Sequence, residues 1–93
     1  GEFDDPEVKK AVIEIARSDD YPIDIRKKAI DNLGTFKDPS VISKILPVLE
    51  KKENYVYYDN ILDMVYMLGE EKIWAEEVRR MAYKANFKRK EHD

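Results

Sequence analysis

Two kinds of helix-breaking signal recur along this chain in the same order and at nearly the same spacing. Asp5-Pro6 and Asp38-Pro39 stand 33 residues apart, and Leu33-Gly34 and Leu68-Gly69 stand 35 apart. Asp before Pro suits a helix start. The carboxylate can accept from the first amides, and proline takes the first helical position with φ already set and no amide to waste. Glycine after a last apolar residue suits a helix stop, where the closing residue is expected to turn left-handed, a backbone that only glycine adopts freely.

Between these marks the apolar period is helical. Val8, Ala11, Val12, Ile15 and Ala16 fall at i, i+3, i+4, i+7 and i+8. A shift of 33 lands on Val41, Lys44, Ile45, Val48 and Leu49, and a second shift on Trp74, Glu77, Val78, Met81 and Ala82. Two further stripes lie between, Ile25, Ala29, Ile30 and Leu33, then Ile61, Met64, Val65 and Leu68. The pattern predicts an all-α chain of five helices, about 6–17, 22–33, 39–52, 55–68 and 71–87, in the order A-B-A-B-A. Short connections force neighbours to run antiparallel. One helix pair cannot cover its own apolar face, so a repeat of this length predicts hairpins stacked side by side. The expected organisation is a single domain, with repeats at 5–34, 38–69 and 71–87 and flexible ends at 1–4 and 88–93.

Composition narrows the function classes. At 93 residues, 43% apolar and 40% charged, the chain can build one continuous core but buries only roughly 60–65% of its unfolded surface. Twenty acids against 17 bases leave a net charge of −3, so any attraction to nucleic acid or an anionic membrane has to be local. With no cysteine, disulfides, zinc–thiolate sites and thiol nucleophiles are excluded. No apolar run approaches the roughly 20 residues that cross a bilayer. Gly1-Glu2-Phe3 reads as a cloning remnant rather than a signal peptide, and a cytoplasmic location is the default expectation.

The stretch from Asp20 to Gly34, with Ile25-Arg26, Ala29 and Leu33-Gly34, resembles the HEAT-repeat pattern of an Asp, four residues, Val-Arg, two residues, Ala, then Leu-Gly. Asp38-Pro39 and Ile45-Leu46-Pro47-Val48-Leu49 are similar to the family's first helix, which an internal proline bends. Pro47 should bend this one, since it removes a bond and crowds the Ser43 carbonyl. The resemblance covers most of the chain and implies a short right-handed α-α superhelix. It also implies an arginine ladder paired with Asp of a neighbouring repeat. The second copy departs from the pattern, with Tyr57-Tyr58-Asp59-Asn60 where Val-Arg belongs, so the ladder should break there. Tetratricopeptide repeats share the period, but their Trp-Leu-Gly-Tyr signature is absent. A plain five-helix bundle is the alternative.

Catalysis would need unlike polar groups brought together, and the chain has one histidine, no cysteine and no glycine-rich phosphate loop. His92 lies in a charged tail without ligand partners. Glu70-Glu71 and Glu76-Glu77 read as macrodipole-favoured acids rather than an acid/base pair. No enzyme activity, cofactor or metal is expected.

Two surfaces are candidates for binding. Projected at 100° per residue, Tyr55, Leu62 and Tyr66 form a row beside Asp59, Asn60 and Asp63, with Tyr58 and Arg26 as lesser contributors. Such a set would anchor a peptide or basic helix of a partner protein on the second-helix surface. The other surface is the carboxy-terminal helix, where Arg79, Arg80, Tyr83, Lys84, Phe87 and Lys88 could neutralise phosphates and stack on bases. The sequence therefore predicts a scaffold or interaction module, with nucleic-acid contact as the alternative. It leaves partner identity and oligomeric state open.

Overall fold

Asp5 starts the first helix as its side chain suggests, with the carboxylate accepting from the amides of Glu7 (2.9 Å) and Val8 (3.4 Å) ahead of α1, Pro6–Arg17. The computed structural model describes the backbone of residues 5–92 and the side chains of residues 5–84. α1 is followed by α2 (Ile23–Leu33), α3 (Val41–Ile45), α4 (Tyr58–Met67) and α5 (Glu71–His92). Between α3 and α4 run two 3₁₀ segments, Leu46–Glu50 and Lys52–Tyr57. No strand occurs among the described residues.

The expected third helix, 39–52, begins only at Val41 and changes its winding next to Pro47. α3 gives way to 3₁₀ at Leu46, one residue before Pro47, and Lys51 is extended (φ −88°, ψ 126°). The chain therefore leaves the helix before 52, and the fourth helix opens with a 3₁₀ turn instead of starting as α at 55. Asn54 secures this junction from the interior, donating from Nδ2 to the Val48 carbonyl at 2.9 Å while only 6% exposed. α5 continues to His92, beyond the expected end at 87.

The glycines close their helices by different means. Gly69 is left-handed (φ 71°) and follows α4 as expected. Gly34 is not; it stays right-handed (φ −65°, ψ −18°), and the positive φ of that turn belongs to Lys37 (58°). What Gly34 provides is room. A Cβ there would stand 2.8 Å from Met67 Sδ and 3.1 Å from its Cβ, so the absence of a side chain lets α4 approach the end of α2.

α1 packs mainly on α2 and also on α3, α2 packs on α4, and α5 lies against α4 and both 3₁₀ segments. The helices enclose one continuous apolar core centred on Ile30, Leu33, Val41, Ile42, Ile45, Ile61, Met64 and Val65. The expected stripes of the third, fourth and fifth helices turn inward, with Val41, Ile45, Val48, Leu49, Ile61, Met64, Val65, Val78 and Ala82 buried, whereas those of α1 and α2 are met only in part. In α1 the buried residues are Ile13 and Ala16, while Val8 is 46% exposed and Ala11 is also exposed. In α2 the position expected of Ile25 is taken by its neighbour: Arg26 is 4% exposed and Ile25 46%.

Arg26 is buried with two of its three side-chain nitrogens met, Nη2 having no partner among the described residues. Nε donates to the Ala16 carbonyl at 3.1 Å, one of the carbonyls left open at the end of α1, and Nη1 lies 3.4 Å from Asp19 Oδ1. Its Cζ sits 4.5 Å from the centroid of the Tyr57 ring, itself 2% exposed. The arginine thus pairs with an Asp in the turn of its own hairpin, and it meets the following hairpin through an aromatic face rather than a carboxylate. Tyr57 stands at the start of the stretch where Val-Arg was expected. Lys9 to Asp38 (2.7 Å) and Asn60 to Asp31 (2.9 Å) add polar ties between successive helix pairs.

Candidate functional site

The 3₁₀ turn at Lys52–Tyr57 decides where the aromatic side chains go. A 3₁₀ helix advances about 120° per residue against about 100° in an α-helix, so three residues of it rotate Tyr55 by roughly 60° from the α-helical projection. Tyr55 is accordingly turned out of the expected row with Leu62 and Tyr66. Leu62 packs against the core. Tyr66 is 48% exposed, and its hydroxyl accepts from Arg79 Nη2 at 3.1 Å. Tyr55 joins Tyr58 and Asp59 in the wall of a groove.

That groove, of about 660 Å³, lies where α2, the start of α4 and α5 meet. It is lined by Lys27 from α2, by Tyr55, Val56, Tyr58 and Asp59, and by Arg79, Ala82 and Tyr83 from α5. Residues assigned from sequence to two rival surfaces, Tyr55, Tyr58 and Asp59 on one side and Arg79 and Tyr83 on the other, therefore share one concavity. Lys27 was not singled out by the sequence; its contribution depends on α2 packing against α4. Asp63 is exposed and outside the groove lining, and Asn60 is engaged with Asp31.

The basic surface of α5 is likewise divided. Arg79 and Tyr83, four residues apart, share one face of the helix. Arg80 and Lys84 line a second depression of about 290 Å³ with Leu49, Glu50, Lys52, Glu77 and Met81. There Glu77 accepts from Arg80 through two bonds, with Nε to Oε2 at 3.0 Å, and the guanidinium holds the Glu77 carboxyl below its ordinary range. Phe87, Lys88 and His92, named from the sequence, lie beyond the residues whose side chains are described.

The groove's polar groups are mixed in sign. Neither Lys27 nor Arg79 forms an ion pair with an acid among the described residues, whereas Lys9, Arg26, Lys51 and Arg80 each do. Asp59 supplies one carboxylate. Among the described residues no three His, Asp or Glu side chains gather as a metal site would require, and no helix is long and apolar enough to cross a membrane. No family model, curated protein or solved structure matches this chain.

Proposed function

We propose that this chain is a non-catalytic interaction module, a short HEAT-like stack of helix hairpins that receives a segment of a partner protein in the groove between α2, α4 and α5. The stacked reading is supported by which helices touch. α1 packs on α3 and α2 on α4, so first helices meet first helices and second helices meet second helices, as a translated hairpin requires. The non-catalytic reading rests on the composition, with one histidine and no cysteine in the chain.

The observation that carries the binding reading is the gathering of Tyr55, Tyr58 and Tyr83 around a depression of about 660 Å³. That size is within the range of ligand clefts, roughly 300–1,000 Å³. Tyrosines offer large contact areas with few torsions to freeze and a polar tip for orientation, which is why they recur as anchors at recognition surfaces. Tyr83 is 70% exposed. Nucleic-acid contact is less well supported, because Arg79 and Arg80 serve different depressions and Glu77 engages Arg80, which interrupts a continuous basic track.

The test is selection of a random displayed peptide library on the full chain, followed by fluorescence anisotropy with the enriched peptides. Tyr55→Ala combined with Tyr83→Ala should weaken binding by about tenfold or more, the loss of hot-spot side chains, with the helical circular dichroism unchanged. Peptides that bind this double variant as strongly as wild type would refute the groove as the site.

A further inference from the structure

Resting on that reading, we infer that the segment received in the groove is an acidic peptide, with its carboxylates set against Lys27 and Arg79. The two cations come from different helices, α2 and α5, that both pack on α4. Neither has an acidic partner among the described residues. Arg79 is held in place by a neutral group, the Tyr66 hydroxyl at 3.1 Å, which orients the guanidinium without cancelling its charge. A planar fork so placed favours a carboxylate approached through two parallel N–H bonds.

Asp59 decides between classes of anion. A nucleic-acid strand carries a phosphate at every nucleotide, so a track laid along this groove would bring a phosphate past the Asp59 carboxylate. A peptide spaces its charges freely. It can put Asp or Glu opposite Lys27 and Arg79 and turn a backbone amide, a hydroxyl or a lysine toward Asp59. The chain's net charge of −3 also opposes accumulation on a polyanion, while leaving a local pair of cations free to orient a short acidic segment.

The peptides selected above provide the test, because the library is unbiased. Peptides from wild type should be enriched in Asp and Glu, and their affinity should fall as salt rises. Lys27→Glu with Arg79→Glu should weaken them by about tenfold, while reversal of the exposed Lys10 and Lys44 elsewhere on the chain should change little. The milder Lys27→Gln with Arg79→Gln should weaken them less and serves if the reversed pair does not fold. Selected peptides that lack acidic enrichment and survive both changes, yet are lost with the Tyr55→Ala, Tyr83→Ala variant, would overturn the charge inference and leave the groove standing. Enrichment in Lys or Arg would overturn it also and shift recognition to Asp59. Oligothymidylate bound more tightly than the selected peptides at equal salt, and released by the Lys27 and Arg79 variants, would overturn it in favour of nucleic acid. Peptides indifferent to every one of these changes would remove the groove together with the inference.

Discussion

Replacing Arg26 by Ala tests whether one buried cation joins the first helix pair to the second. Three contributions can be read from its surroundings. Losing Nε leaves the Ala16 carbonyl without its donor, in a residue that is 0% exposed, which costs about 1–3 kcal/mol. Removing the two methylenes beyond Cβ forfeits about 1.6 kcal/mol of apolar burial. The stacked contact with Tyr57 at 4.5 Å adds about 0.5–2 kcal/mol. Against these stands the relief of a buried guanidinium whose Nη2 has no partner among the described residues, so the net is about 3 kcal/mol. For a domain this size that corresponds to a fall of roughly 12–24 °C in Tm. Urea unfolding followed by circular dichroism measures it directly. Arg26→Met keeps the stem and removes the donors, so it should recover about half of the loss. In a double-mutant cycle, Arg26→Met with Tyr57→Leu should show a coupling of about 1 kcal/mol. A loss below about 1 kcal/mol for Arg26→Ala, with no coupling to Tyr57, would refute the account of Arg26 as the tie between hairpins.

Gly69→Ala should destabilise the chain by about 1 kcal/mol in urea titrations, through its left-handed φ of 71° alone, since nothing lies within 4 Å of the added Cβ. Gly34→Ala acts through contact instead, so its cost should shrink when Met67→Ala is made with it, whereas Gly69→Ala should be additive with Met67→Ala. Asp38 has its pKa lowered to about 2 by hydrogen bonds from Lys9 and then Ser40. A depressed carboxylate stabilises the fold above its unfolded value of 3.8 and loses that stabilisation as pH falls toward 2. Unfolding midpoints should therefore decline from pH 4 to pH 2, by about 1 kcal/mol after solvent screening, and Asp38→Asn should flatten that decline.

Much of the local structure was legible in the residues themselves. Asp5-Pro6 predicts the start of α1, Pro47 the break in the third helix, and the Leu-Gly pairs the ends of α2 and α4, because caps and breakers act on backbone groups within one turn of themselves. The all-helical class followed from the apolar period for the same reason.

Other features depended on contacts that no window of sequence contains. Ile25 and Arg26 are adjacent on α2, and which of them faces inward is settled by the open Ala16 carbonyl and the Tyr57 ring, groups ten and 31 residues away. The α-helical projection misplaced Tyr55 because the 3₁₀ turn changes the angular step ahead of α4. Lys27 belongs to the groove only through the packing of α2 and α5 on α4, and that same packing joins Tyr55, Tyr58 and Asp59 to Arg79 and Tyr83. By itself the sequence determined the helical class, the start of α1 and the stops of α2 and α4, through short-range hydrogen bonding and steric limits on φ. Only the tertiary structure decided that Arg26 rather than Ile25 faces inward and which distant side chains share a surface, because burial is a property of the partner as much as of the residue.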